Sequence, residues 1–253
     1  MSLEHNTADP DSWEFLRKLT AARIALGHAG VSIPTQELLS FRLAHAQARD
    51  AVYSGLDKEK IITQLRQNNF DYLEIESTSS SRDEYLKNPT TGKKLSTASK
   101  EKLSQLKSNY DLCLIIADGL SANAVNQHAV EVIRILYSKL KKLNWSLAPV
   151  LVAEQARVAL SDEAGNLAGA ELVVMFIGER PGLTSPDSMG AYLTYRPEPG
   201  LTDERRNCVS NIRPEGLSYY FAAEKLFYLL TEMKTRKISG VQLKDRQDGL
   251  FLG

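Results

Sequence analysis

The sequence predicts an α/β fold: a parallel β-sheet with helices on both faces, preceded by a smaller helical segment. Three observations carry this reading. Beyond residue 99, short apolar runs alternate with helical stretches: LCLIIAD at 112–118, PVLVA at 149–153 and LVVMFIG at 172–178. Strands written as continuous apolar runs are those covered on both faces. The first third carries a helical period and no clear strand pattern. Between the two lies STSSSRDEYLKNPTTGKKL at 77–95, rich in Ser, Thr, Lys and Gly, which reads as a solvated loop and a natural seam. The chain therefore divides into a helical subdomain at 1–70, a connecting segment at 71–98 and a Rossmann-like α/β domain at 99–253.

Each element follows from local pattern. Asp11 or Ser12 can cap a helix running to about Leu26, with Trp13, Leu16, Arg23 and Ile24 near the helical period and Gly27 and Gly30 as stops. Pro34 and Thr35 open a second helix with Leu38, Phe41, His45 and Val52 near one face, ended by Gly55. A shorter helix covers Lys58–Arg66. Asp71–Glu76 alternates and predicts an edge strand. Helices are expected at Lys100–Ser108, Ala122–Lys141, near Glu154–Leu160 and from about Ser218 to Thr235. Ala191–Tyr195 and Cys208–Ile212 are further strand candidates.

Composition narrows the function class. Hydrophobic residues are 43% and charged residues 25%, ordinary for a soluble globular chain. Lys plus Arg (31) equal Asp plus Glu (31), so the overall charge gives no sign of nucleic-acid binding. The longest apolar run, Leu172–Ile177, has the length of a strand and not of a membrane span. The opening MSLEHNTADPD lacks the apolar stretch of a secretory signal. Cys113 and Cys208 are too few for a disulfide framework, and with His5, His28, His45 and His128 they form no zinc spacing. A cytoplasmic setting is the simplest reading.

Ligands of open parallel α/β sheets bind beyond the carboxyl ends of the strands. Three loops leave such ends: Asp118–Ser121, Glu154–Val158 and Gly178–Gly182. In the last, Pro181 biases Arg180 toward extended backbone, while Gly178 and Gly182 permit tight turns. Glu179 and Arg180 are either ligand groups or a surface ion pair. Asp118–Ser121 reads as a helix start with Ser121 as N-cap. Cys208 reads as a small buried hydrophobe, or as a thiol made reactive by Arg205 and Arg206. No GxGxxG, Walker or GxSxG motif is present.

Segments spread along the chain carry a resemblance. They are LRKLTAARIALGHAG at 16–30, PTQELLSFRLAHAQARDAV at 34–52, YLKNPTTGKKL at 85–95, DGLSANAV at 118–125, EQARVALSDE at 154–163, LVVMFIGERPGL at 172–183 and RNCVSNIRPEG at 206–216. In order and spacing these resemble the small subunit of ethanolamine ammonia-lyase, which makes 77–95 a subunit feature rather than filler. The resemblance implies a heteromer that converts ethanolamine to acetaldehyde and ammonia. A TIM-barrel large subunit would hold the substrate and the radical chemistry. The small subunit would help enclose adenosylcobalamin and carry no catalytic residue. The family's cobalamin contacts fall here on Val158 (packing), Glu179 (hydrogen bonding) and Cys208 (a small side chain or its backbone). Arg157, Arg180 and Arg206 are their neighbours. Many relatives have a longer N-terminal extension linked to packaging in a bacterial microcompartment; this chain begins close to its helical core, which weighs against encapsulation. Position 28 is His where arginine is usual. The alternative reading is a standalone small-molecule binding module at the same sheet edge, and more remotely an α/β hydrolase-like enzyme.

Overall fold

The computed structural model describes residues 11–107 and 109–245. The outer ends of the expected 1–70 and 99–253 segments, and Ser108, expected to end a helix, lie outside the described residues. The elements are α1 (Thr35–Tyr53), α2 (Lys58–Gln67), β1 (Tyr72–Glu76), α3 (Arg82–Lys87), α4 (Thr97–Ser104), β2 (Tyr110–Ala117) and α5 (Ala122–Leu140). They continue with β3 (Val150–Glu154), α6 (Leu160–Leu167), β4 (Ala170–Gly178), β5 (Met189–Tyr195), β6 (Asn207–Ile212) and α7 (Tyr219–Arg236).

The six strands form one sheet in the order β1-β3-β2-β4-β5-β6. The first four are parallel. β5 and β6 are antiparallel to their neighbours, so the expected all-parallel sheet is in fact mixed. Loop length explains this. A parallel return needs a crossover of about a dozen residues or more, usually an α-helix, and the short loops 179–188 and 196–206 contain no α-helix. These loops can only fold the chain back as hairpins.

Alternate residues of the central strands enter two different cores, as a period of two requires. Leu114, Ile116, Val152, Val174 and Phe176 meet α2, α5 and α7 on one face. Cys113, Ile115, Ala153, Val173 and Met175 meet α4 and α6 on the other. Helices thus cover both faces, as the continuous apolar strands predict. Ile61 and Leu65 of α2 are fully buried within the first of these cores.

Three elements differ from expectation. The helix expected from Asp11 to Leu26 is a single 3-10 turn at Glu14–Lys18, and Ala25 has a positive φ of 49°. No residue from 11 to 43 is buried, and an isolated helix of that length is marginal without packing. The helix expected near Glu154–Leu160 begins only at Leu160. The Ser-rich segment 77–95 contains α3, capped by the Ser81 hydroxyl accepting from the Glu84 amide, and buries Tyr85 and Leu95. Among the described residues no helix is long and apolar enough to cross a membrane.

Leu65→Ala is expected to destabilise the chain by about 2–5 kcal/mol through lost burial and the cavity left behind. Leu19→Ala, at an exposed position, should stay within about 0.5 kcal/mol. Urea denaturation of the two variants checks the contrast.

Candidate functional site

Asp118 follows the last residue of β2 and is almost fully buried. One carboxylate oxygen accepts from the Gly119 amide (2.9 Å) and the Ala156 amide (3.0 Å). The other accepts from the Gln155 amide (2.9 Å) and from Arg82 Nη1 (3.3 Å). Burial pushes this carboxyl up to about 6, while Ala156, Arg82, Gln155 and Gly119 pull the other way. All four neighbours are donors, so the site is built around the ionised form. Arg82 also donates to the carbonyls of Gly119 (2.8 Å) and Val52 (2.7 Å), which ties in the C-terminus of α1. Holding the Gln155 and Ala156 amides keeps 155–157 out of the following helix, with Gln155 at φ 53°.

The β2 and β4 ends meet backbone to backbone. A Cβ on Gly119 would lie 2.3 Å from the Gly178 carbonyl oxygen, and one on Gly178 would lie 2.0 Å from that of Ser121. Only glycines allow this approach. Ser121 occupies the N-cap of α5, but its hydroxyl does not cap the helix; it donates to the Pro186 carbonyl (3.0 Å) and pins the β4–β5 hairpin.

Glu179 opens that hairpin, with its amide bonded to the Ser188 carbonyl (3.0 Å). Its side chain lies over Gly190, where a Cβ would come within 3.0 Å of Oε1. The carboxylate accepts from the hydroxyls of Ser188 and Ser210 and from the Asn211 amide (3.3 Å). The β5–β6 register shifts between Met189 and Ala191, and this irregularity turns Ser210 and Asn211 toward the carboxylate. Glu179 is therefore held by hydroxyls and an amide rather than by Arg180, which is exposed.

Val158, Glu179, Arg157, Tyr192 and Tyr85 line one cavity of about 200 Å³, floored by Gly119 and Gly178. Arg157, Val158 and Tyr192 also line a neighbouring cavity of about 460 Å³, with Lys93, Asp203 and Arg206. Tyr192 is the cross-strand partner of Cys208, so Cys208 stands at the rim beside the two other expected contacts. Cys208 is exposed, with Tyr192 opposite it across the strand pair. Desolvation by neighbouring atoms raises the thiol pKa, with a smaller push from Glu179. The activation expected from Arg205 and Arg206 is absent: Arg206 is buried and committed to Asp162, to Asp203 (2.8 Å) and to the Leu201 carbonyl (3.1 Å).

Sequence reasoning reached the three loops but missed Tyr85, Arg82, Tyr192 and the role of Asp118. A signal existed for two of them. An aspartate that continues a fully apolar strand sits at the buried end of that strand, and MGAYLTY places Tyr192 on the opposite face from Ala191 and Leu193. Among the described residues no group of three or more His, Cys, Asp or Glu side chains is arranged to hold a metal ion.

Asp118→Ala would leave three amides and the Arg82 guanidinium without their acceptor. It is expected to cost about 3–5 kcal/mol, as for a broken buried ion pair. A loss below about 1 kcal/mol in urea denaturation would contradict the role assigned to this carboxylate.

Comparison with known proteins agrees across the chain. Residues 10–244 match the family model described as ethanolamine ammonia-lyase light chain. A protein of Azotobacter vinelandii named ethanolamine ammonia-lyase small subunit is 47% identical over 249 residues, 97% of this chain and 92% of the relative. Proteins of the same name from Pseudomonas syringae pv. tomato and Ralstonia nicotianae are each 48% identical, over 96% and 94% of this chain and 86% and 90% of their own lengths. The chain belongs to the ethanolamine ammonia-lyase light-chain family.

Proposed function

We propose that this chain is the small, cofactor-clasping subunit of an adenosylcobalamin-dependent ethanolamine ammonia-lyase, which converts ethanolamine to acetaldehyde and ammonia. The observation that carries the reading is the chain-long likeness to proteins named small subunit, coupled with Val158 and Glu179 facing one cavity and Cys208 at its rim. Its role is to bind and enclose the cobalamin at an interface with a large subunit, a TIM barrel that performs the reaction.

The residues present suit the cofactor. A corrin carries amide side chains, which donate and accept hydrogen bonds, around an apolar rim. Glu179 has three donors on its carboxylate, which leaves an acceptor site for an amide. Gln155 Oε1, in the loop that leads to Val158, is buried without a partner. Val158 offers apolar contact. When bound, adenosylcobalamin supplies the organic radical that starts the elimination. This chain's groups hold and orient it.

A partner is needed on physical grounds. Pockets that enclose even a drug-sized ligand run to about 300–1,000 Å³. The cavity at Glu179, about 200 Å³, and its neighbour of about 460 Å³ can form one wall of a corrin site but cannot surround a cofactor several times larger than a drug. The exposed apolar side chains Trp13, Phe15, Leu19, Val31, Ile33 and Phe41 lie in the stretch with no buried residue, which makes it the segment suited to cover a large subunit. The two cysteines are both free, in keeping with a cytoplasmic setting.

Two outcomes are expected. Glu179→Gln should weaken adenosylcobalamin binding to the complex about ten- to hundredfold, as for a lost hydrogen bond to a charged acceptor, with near-normal turnover at saturation. A general acid or base would lose about two to four decades of turnover even at saturation, so a cofactor titration separates the roles. Deleting Met1–Gly30 should weaken association with the large subunit; a truncated chain that co-purifies in full yield would contradict the contact.

A further inference from the structure

Among the described residues Arg157 is a fixed cation with no counter-ion. Its guanidinium carbon stands 4.2 Å from the Tyr85 ring centroid, and Nη2 donates to the Tyr85 carbonyl at 3.4 Å. Gly92 makes room for it: a Cβ there would meet Arg157 Cγ at 2.9 Å and the ring at 2.8 Å. Nε is buried and unpartnered. Arg82, also stacked on Tyr85, is matched by Asp118, and Arg206 is matched by Asp162 and Asp203. Among the described residues Arg157 has no carboxylate within ion-pair distance, and neither does Lys93, which lines the same 460 Å³ cavity. Two uncompensated cations, one of them rigidly stacked, face one cavity next to Val158. A partly desolvated guanidinium that keeps an open donor edge is suited to a planar or tetrahedral oxyanion.

We propose that Arg157, assisted by Lys93, is the subsite for a phosphodiester, the anionic group of the cobalamin nucleotide tail. This rests on the cobalamin reading above and adds to it which part of the cofactor meets this wall. The corrin amides, being neutral, would leave both cations unmatched; the phosphodiester neutralises one.

The test compares two ligands on the assembled complex of this chain with its large subunit. Adenosylcobalamin bears the phosphodiester; adenosylcobinamide has the same corrin and ends before it. Affinities are read by equilibrium dialysis. Arg157→Met should lose about ten- to hundredfold for adenosylcobalamin and nothing for adenosylcobinamide. Arg157→Lys should recover part of the loss by restoring charge without the fork. Lys93→Met, at an exposed position that the fold does not need, should lose about fivefold for adenosylcobalamin alone, and it carries the comparison if Arg157→Met fails to fold. Added salt should weaken only the phosphate-bearing ligand.

Equal losses for both ligands, or none, would overturn the proposal while leaving the cofactor reading in place. Dissociation of folded Arg157→Met from the large subunit would also overturn it, assigning the cations to a partner carboxylate. A site that binds inorganic phosphate through Arg157, with adenosylcobalamin affinity unaffected by the substitution, would assign it to the free anion instead. Failure of the wild-type complex to bind either cobalt ligand would instead remove the cofactor reading itself.

Discussion

The buried carboxylate of Asp118 is the constraint on which the rest of this site depends. Four donors from three separate segments converge on it, and each segment delivers something else to the cavity. The Gly119 amide sets the turn that lets the β2 end touch the β4 end. The Gln155 and Ala156 amides hold 155–157 in a non-helical bend, so Arg157 and Val158 face outward instead of entering α6. Arg82 brings α3, and with it the Tyr85 ring on which Arg157 rests. Placing a charge there costs desolvation energy, visible in a carboxyl pushed up to about 6. Such a cost is repaid only while every partner is in place.

The mixed sheet supplies the other half of the arrangement. In an all-parallel sheet the edge beyond β4 would be covered by another crossover helix. Here two hairpins extend the sheet, and their register irregularity places Ser210 and Asn211 on the Glu179 carboxylate. Gly190 leaves space for that side chain, and Tyr192, two residues on, sits beside it and beside Cys208. The hairpin is fastened from below as well. Asp187 approaches buried His128 Nε2 (3.5 Å) and Arg213 Nη1 (3.4 Å), and His128 Nδ1 lies 2.7 Å from the Tyr219 hydroxyl. Burial lowers the His128 pKa most, with Asp187 opposing it.

Much of this was legible in the sequence. The apolar runs of β2, β3 and β4 and the periods of α5 and α7 gave their positions because burial on defined faces imposes a pattern on the residues. The antiparallel strands were legible too, but only from the lengths of loops 179–188 and 196–206, which forbid a crossover. The N-terminal segment misled because its helical period reflects apolar residues that nothing among the described residues covers. α3 was hidden because its residues are polar and only Tyr85 is buried. The strand-end rule located the loops that hold Val158 and Glu179; their roles toward a cofactor, and Cys208 in β6, came from resemblance. The environment of Cys208 depends on Arg206 being drawn away by Asp162, a partner 44 residues distant that no local pattern reveals.

The central claim is that this chain forms one wall of a cobalamin site that a large subunit closes. The most direct measurement is equilibrium dialysis of adenosylcobalamin against three samples: this chain, the separated large subunit and the reconstituted complex. The account predicts tight binding by the complex and far weaker binding by either part. A large subunit that binds the cofactor as tightly alone as in the complex would contradict it.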